Sequence, residues 1–125
     1  MKLENQVVSL ELAKKLKELG FKQDSLYYWA EDENFIVTKD KIENSQDWRD
    51  NYFIPAYTVP ELGEMLPLKI DDEDLTIWRE KGFESWDVAY STLARKEEVW
   101  EQSKNLVDAM AKMAIYLLEN NLIKL

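Results

Sequence analysis

A short pattern that occurs twice in the chain constrains its fold more than any other feature. Ser9-Leu10-Glu11-Leu12 corresponds to Val59-Pro60-Glu61-Leu62 in the second half of the chain. Leu26-Tyr27-Tyr28-Trp29 corresponds in the same order to Leu75-Thr76-Ile77-Trp78. In each copy a helical segment precedes two extended segments. The order helix–hairpin–helix–hairpin therefore predicts an α+β fold built from two related units.

Neither unit is expected to be stable alone. A two-stranded hairpin cannot bury its apolar face and is only marginally stable in water. We therefore expect the units, at about residues 8–38 and 58–90, to share one antiparallel sheet with helices covering one side. A closing helix at about residues 103–121 completes a single domain, because a chain of 125 residues has the usual length of one domain.

The first unit is predicted to be a helix followed by a hairpin. Within Ser9–Leu19, leucines recur at spacings of three and four residues, which is the period of an amphipathic helix. The segments Leu26–Trp29 and Phe35–Thr38 flank a polar turn and are predicted to pair as a hairpin. Residues 39–52 are polar and carry no periodic pattern, so we interpret them as a connecting loop.

The second unit repeats this order. Pro60 precedes a short helical stretch, Glu61–Leu66, where the missing N–H of proline costs little. Leu75–Trp78 is predicted to be the third strand and Phe83–Tyr90 the fourth. Gly82 lies in the turn between them, where it can adopt a positive φ.

The last part of the chain is predicted to be a helix from about Ser103 to Asn120. Apolar residues form a stripe along it: Val107, Met110, Ala114 and Leu117, joined by Leu106, Met113 and Leu118. The preceding segment, Thr92–Gln102, stays open. Trp100 is in phase with the stripe, which favours a helix there, but a loop or a separate turn is the alternative.

The composition excludes several classes of chemistry. The chain has no His and no Cys. Disulfides, thiolate nucleophiles, Cys- or His-ligated metals and a Ser–His–Asp triad are therefore excluded. Three isolated glycines cannot form a glycine-rich phosphate loop or a Rossmann fingerprint. With 25 acidic residues some carboxylates always lie near each other, so a carboxylate pair by itself is weak evidence for hydrolysis. We predict no catalytic residues, no cofactor and no metal site.

The charge and the apolar pattern bear on partners and location. The net charge of −9 argues against direct binding to nucleic acid, because Lys and Arg supply the affinity for phosphate backbones. The chain contains no apolar run long enough to span a membrane and no signal-peptide pattern near its first residue. A disulfide-free chain is typical of a reducing cytoplasm. We therefore expect a cytoplasmic protein with no membrane contact.

Three segments carry a resemblance to a known family: Tyr57–Pro67, Ala111–Asn120 and Ser9–Trp29. Together, and in the same order along the chain, they resemble a family of small proteins from bacteriophages, prophages and related mobile elements, chiefly of gut Bacteroidetes and Firmicutes. The similarity covers most of the chain. It implies a phage or mobile-element origin and the cytoplasm of a host bacterium as the setting. It implies no catalytic residues.

The acidic run Asp71–Asp74 is the sharpest charge feature of the sequence. Clustered carboxylates are the ligands that Ca²⁺ and Mg²⁺ prefer. The spacing of a calcium-binding loop is absent, however, and adjacent residues seldom point at one ion. We therefore interpret the run as a solvated turn before a strand.

The aromatic residues are the other candidates, because five Trp is a high number for this length. Trp29, Trp78 and Trp86 are predicted to pack in the core, with Trp29 and Trp78 sharing one role as equivalent positions of the repeat. Trp48 and Tyr52 are expected to anchor the 39–52 loop. For Trp48 and Trp100 both a core and a surface role stay open. Trp48, Tyr52 and Trp100 are our candidates for a partner surface, since exposed aromatics often anchor interfaces.

Three functions are compatible with these observations. The favoured one is a non-enzymatic, phage-encoded accessory protein that binds a host or phage protein. One alternative is an acidic decoy that mimics nucleic acid and occupies a host DNA-binding protein. The other is carboxylate-based small-molecule binding or hydrolysis, which requires a pocket with at least two carboxyl groups of shifted pKa. Formation of a homodimer, through hairpin edges or the last helix, also stays open.

Overall fold

The structure of the protein is a computed structural model that describes residues 2–22, 24–30, 35–43, 53–80, 82, 84–91 and 99–124. Its elements in chain order are a 3-10 helix (Leu3–Asn5), α1 (Leu10–Glu18), β1 (Tyr27–Ala30), β2 (Phe35–Thr38), α2 (Lys39–Glu43), β3 (Phe53–Pro55), α3 (Val59–Met65), β4 (Lys69–Ile70), β5 (Glu73–Glu80), β6 (Ser85–Ser91), β7 (Val99–Ser103) and α4 (Leu106–Glu119). The predicted α+β class and the C-terminal helix are confirmed.

The strands form two separate antiparallel sheets. The first has the order β2-β1-β3, with Trp29 of β1 opposite Ile36 on one side and Ile54 on the other. The second has the order β4-β5-β6-β7. Its central pair is β5 and β6, which run in register from Asp74 opposite Ser91 to Glu80 opposite Ser85.

The helix α4 lies at the centre of the core. It packs against α1 and α3 and also against β6 and β7. Its predicted stripe is buried, together with most of the rest of its surface: Val107, Ala109, Met110, Ala111, Met113, Ala114, Ile115 and Leu117. A helix that is apolar over most of its circumference has to be covered on several sides. The helices α1 and α3 and the second sheet provide that cover.

Aromatic side chains make two specific contacts in the core around the first sheet. The ring of Phe21 meets the ring of Tyr57 edge to face, with centroids 4.9 Å apart. The indole Nε1 of the buried Trp29 donates a hydrogen bond of 2.8 Å to the carbonyl oxygen of Val8. A buried indole N–H needs such an acceptor, because leaving it unpaired would cost free energy.

The ends of two elements follow the rules expected from the sequence. Thr58 caps α3 in a reciprocal capping box with Glu61, and Pro60 lies in the first turn of that helix. Gly20, two residues beyond α1, has a φ of 85° and Gly82 between β5 and β6 has a φ of 93°. Side chains other than glycine adopt this backbone conformation at a cost.

The shared sheet predicted for the two units is wrong, because each hairpin recruits further strands of its own. β3 pairs with β1 in the first sheet. β4 and β7 lie on the two sides of the β5–β6 hairpin in the second sheet. These additional strands satisfy backbone groups at the hairpin edges, so neither hairpin needs the other as its neighbour.

Three local predictions are also corrected. Residues 39–43, predicted to be loop, form the short helix α2. Residues 99–102 lie in the strand β7, so the helical alternative for Trp100 is wrong, and residues 92–98 lie outside the described residues. In the acidic run, Asp71 and Asp72 form a turn while Glu73 and Asp74 belong to β5. Burial in β7 alternates with a period of two residues, which is the signature of a half-buried strand.

Candidate functional site

The second sheet has one face toward the core and one face away from it. Leu75, Val88, Tyr90 and Val99 belong to the core face and pack in the hydrophobic core with α4. Side chains alternate along each strand, and residues opposite each other in neighbouring strands share a face. The opposite face, called the outer face below, therefore carries Asp74, Thr76 and Trp78 of β5, Asp87 and Ala89 of β6, and Trp100 and Gln102 of β7.

Asp87 lies at the centre of the outer face and is completely buried, with 0% of its surface exposed. The strand register places it between Trp78 on one side and Gln102 on the other. Its Oδ1 accepts a hydrogen bond of 2.8 Å from the indole Nε1 of Trp100. Within the described part of the chain its buried Oδ2 has no hydrogen-bond partner. A buried acceptor without a donor costs free energy, which the other contacts of the sheet have to offset.

Trp100 combines an exposed ring with a fixed orientation. Its side chain is 48% exposed although it is one of the largest apolar groups in the protein. The hydrogen bond to Asp87 fixes the direction of the indole ring. A second cross-strand hydrogen bond, 2.9 Å from Gln102 Nε2 to Ser85 Oγ, connects β7 to β6 beside it. The outer face thus presents a large aromatic ring that the strands below already hold in place.

The strand β7 that carries Trp100 is also fastened to the core helix. The ammonium of Lys112 on α4 donates a hydrogen bond of 3.0 Å to the carbonyl oxygen of Gln102. Glu101, the residue before Gln102, lies on the face of the sheet that packs against α4. Burial raises the pKa of the Glu101 carboxyl, and the positive charge of Lys112 partly offsets this effect. The Lys112 hydrogen bond thus holds β7 against α4.

Other titratable groups have pKa shifts that arise from contacts within the fold. A hydrogen bond from the ammonium of Lys39, at 2.7 Å, holds the pKa of the Asp24 carboxyl below its usual value. Burial raises the pKa of the Tyr57 and Tyr90 hydroxyls. The Tyr57 hydroxyl donates to the carbonyl oxygen of Lys22, and that of Tyr90 donates to the carbonyl oxygen of Pro67 at 2.7 Å. Asp24 and Tyr57 lie in the N-terminal half of the chain, whereas Tyr90 belongs to β6 of the second sheet, so the three groups do not converge on one pocket.

The carboxylates of the described residues also do not come together in a metal-binding cluster. These residues contain no group of three or more Asp and Glu side chains placed to hold a metal ion. Asp74 of the acidic run instead forms an ion pair with Lys69, at 3.3 Å, across the β4–β5 hairpin.

The structure separates the aromatic residues that sequence analysis had grouped. Trp48 and Tyr52 lie outside the described residues, whereas Trp100 lies on the outer face. Trp29 is buried and Trp86 packs against the core, as predicted. The prediction that Trp78 packs in the core is wrong. Strand alternation places Trp78 on the outer face and Leu75 on the core face, so Trp78 does not share the role of Trp29.

Sequence reasoning missed Asp87 and Gln102, the two polar residues that organise the outer face. A signal for Asp87 was present, because it is the one acidic residue in the otherwise apolar and small segment Ser85–Ser91. A carboxylate in the middle of a central strand needs a hydrogen-bond donor close by. No comparable signal marks Gln102, since a polar residue in an edge strand is ordinary.

The chain matches no protein-family model, no curated protein and no solved structure. Within the described residues, no helix is long and apolar enough to cross a membrane.

Proposed function

We propose that the protein is a non-enzymatic accessory protein that binds another protein through the outer face of its second sheet. The observation that carries this proposal is the exposed, hydrogen-bonded ring of Trp100. Tryptophan is among the residues most often found at the energetic centre of protein interfaces. A ring that is already oriented loses little conformational entropy when a partner covers it.

The charge of the whole chain indicates the chemistry of the partner. Asp87 on the outer face is buried and Asp74 pairs with Lys69, so the long-range field comes from the net charge of −9. A basic partner surface would be drawn to such a protein by long-range attraction. An Arg or Lys side chain can also stack on an exposed indole ring as a cation–π contact. We therefore propose a partner that presents basic side chains around an apolar centre.

The resemblance to phage and mobile-element proteins suggests where this partner is found. If the protein acts in the cytoplasm of a host bacterium, as we propose, the partner is a host protein or another phage protein. A second copy of the chain is the remaining alternative, because β7 lies at the edge of its sheet in the order β4-β5-β6-β7.

A pull-down with three variants tests the proposal. The tagged protein is incubated with an extract of the host bacterium at low and at high salt. Thr76→Arg places a bulky cation on the outer face, in line with Ala89 and Trp100, and leaves the Trp100–Asp87 hydrogen bond intact. Trp100→Ala removes the ring itself. Phe35→Ala is the matched control, because Phe35 is a similarly exposed aromatic residue (45%) in a strand of the other sheet.

The proposal predicts a stoichiometric protein that is retained at high salt. Binding should be lost with Thr76→Arg and with Trp100→Ala and kept with Phe35→Ala. Retention that is the same for all variants would contradict the proposed surface. A nucleic-acid-binding protein that dissociates at high salt would instead support the acidic decoy, because screening weakens contacts between exposed charges.

A further inference from the structure

A second candidate site lies away from the outer face, in a cleft of about 630 Å³. It opens between the N-terminal 3-10 helix, the start of β1, the start of α3, the β5–β6 pair and the start of α4. The residues that matter for its chemistry are Gln6, Tyr27, Arg79, Trp86, Lys104 and Asn105. Its volume is within the range of roughly 300–1,000 Å³ that is common for small-molecule sites.

The charge of this cleft is opposite to that of the protein. Arg79 and Lys104 both line it, and none of the described residues that line it is acidic. This is unusual in a chain with 25 acidic and 16 basic residues. Neither cation has an ion-pair partner among the described residues. Two cations that share a cleft, with no acidic residue among its described lining residues, favour an anion between them.

Two acidic residues that directly follow lining residues in the sequence, Glu61 after Pro60 and Asp108 after Val107, have other hydrogen-bond partners. Glu61 of α3 accepts hydrogen bonds at Oε1 from the backbone N–H of Thr58 and from Ser25 Oγ, both at 2.9 Å. Asp108 of α4 accepts a hydrogen bond of 2.9 Å at Oδ1 from the backbone N–H of Ser9. These hydrogen bonds engage the carboxylates of Glu61 on α3 and Asp108 on α4.

Two aromatic residues add a surface for a planar group. Trp86 is half-buried, and the Arg79 guanidinium lies over its ring, 5.8 Å from the centroid. Tyr27 of β1 is half-buried on the same cleft wall as Leu26. An Arg side chain stacked on an indole is held in place and still directs N–H donors outward. The amide of Asn105, which makes no capping hydrogen bond to α4, also lines the cleft.

We propose that this cleft binds a small organic phosphate with a planar ring, of the size of a nucleotide. Arg79 and Lys104 bind the phosphate, since a guanidinium recognises phosphate through paired N–H donors. Tyr27 and Trp86 contact the ring. Leu106 and Val107, at the first turn of α4, also line the cleft, and the positive end of the helix dipole adds to the attraction. The cleft is separate from the outer face, so the two proposals can fail independently.

Isothermal titration of the purified protein tests this site. The probes are the four common nucleoside 5′-monophosphates, adenosine without phosphate, and inorganic phosphate. Arg79→Gln and Lys104→Gln each remove one cation of the cleft. Lys15→Gln is the matched control, because Lys15 lies on α1 in an exposed ion pair with Glu119 and makes the same change in net charge. The melting temperature of each variant verifies that it folds.

The proposal predicts saturable binding of at least one monophosphate with one site per chain. Each cleft variant should weaken it by about tenfold or more, as expected for the loss of one charge-assisted hydrogen bond. Lys15→Gln should leave it unchanged. Adenosine alone and inorganic phosphate alone should each bind more weakly than the complete nucleotide. The absence of binding for all four monophosphates, or equal weakening by Lys15→Gln, would overturn the proposal.

Discussion

Trp29 and Trp100 each donate one hydrogen bond from the indole nitrogen, and the acceptor defines the role of each residue. The indole of Trp29 donates to a backbone carbonyl inside the core, whereas that of Trp100 donates to a buried carboxylate from the protein surface. The same donor thus stabilises the core in one place and orients an exposed ring in the other. The composition alone, with its five Trp, could not distinguish these uses.

Replacing Trp100 by Phe separates its role in stability from its role at the surface. The variant keeps an aromatic ring on the outer face but leaves the buried Asp87 carboxylate without its indole donor. We expect a loss of about 1–3 kcal/mol in the free energy of unfolding, measured by urea denaturation. Tyr116→Phe, at an exposed position of α4, is the control and should change stability by less than about 0.5 kcal/mol. Equal stability of both variants would contradict the role of the Asp87 hydrogen bond.

Glu101 provides a test based on pH. Burial raises the pKa of its carboxyl in the folded state, so the folded protein binds this proton more tightly than the unfolded chain does. The contribution of Glu101 to stability is therefore unfavourable above the folded pKa and disappears as pH falls below the unfolded value. Glu101→Gln should raise the urea midpoint at pH 7 relative to the wild type, and the difference should vanish near pH 3. A difference that persists unchanged at pH 3 would contradict this account.

Helix ends show how far local sequence determines the elements. The capping box of α3 is formed by Thr58 and Glu61 in the sequence spacing that such boxes require. Ser9 is the N-cap residue of α1, but its side chain makes no capping hydrogen bond. Its backbone N–H instead donates to Asp108 of α4. The N-terminus of α3 is thus stabilised by a local capping box, whereas that of α1 is stabilised by a tertiary hydrogen bond to α4.

This difference predicts unequal effects of the same kind of substitution. Thr58→Ala should cost about 0.5–2 kcal/mol in the free energy of unfolding, because one N–H of the first turn of α3 loses its acceptor. Ser9→Ala, the matched control at the other N-cap, should cost less than about 0.5 kcal/mol. Chemical denaturation measures both. Equal losses for the two variants would show that the capping box is not what distinguishes them.

The central helix α4 is predicted to be the most sensitive element. Leu117 is fully buried between α4 and its neighbours, whereas Leu122, just beyond the helix, is exposed. Leu117→Ala should lower the free energy of unfolding by about 2–5 kcal/mol, because it removes buried methyl groups and leaves a cavity. Leu122→Ala is the control of identical chemistry and should have little effect. A small loss at Leu117 would contradict the central place of α4 in the core.

At the scale of the whole molecule, the sequence predicts the elements better than their assembly. The periods of α1 and α4 and the two hairpins follow from local patterns, and all of them are confirmed. The strands β3, β4 and β7 were missed because they are only two to five residues long and are stabilised by pairing with β1, β5 and β6. Strand preference depends on such neighbours more than on the residues themselves. The separation into two sheets follows from these added strands.

The candidate site was predictable only in part for the same reason. The sequence marked Trp100 as an aromatic residue that could lie either in the core or on the surface. Its exposure follows from the strand β7, which turns its other face, with Val99 and Glu101, toward α4. The location of Trp78 and Asp87 beside it depends on the register between β5, β6 and β7. Register is set by tertiary contacts, and a shift of one residue would exchange the two faces of a strand.

Site-specific photo-crosslinking tests the proposed binding face most directly. A benzophenone amino acid replaces Gln102, which is exposed on the outer face, or, as the control, Tyr116 on α4. Irradiation in an extract of the host bacterium should attach one discrete protein at position 102, at low and at high salt, and none at position 116. Crosslinks between two copies of the chain at position 102 would assign the same face to a homodimer. Crosslinks at position 116 alone, or at neither position, would contradict the account.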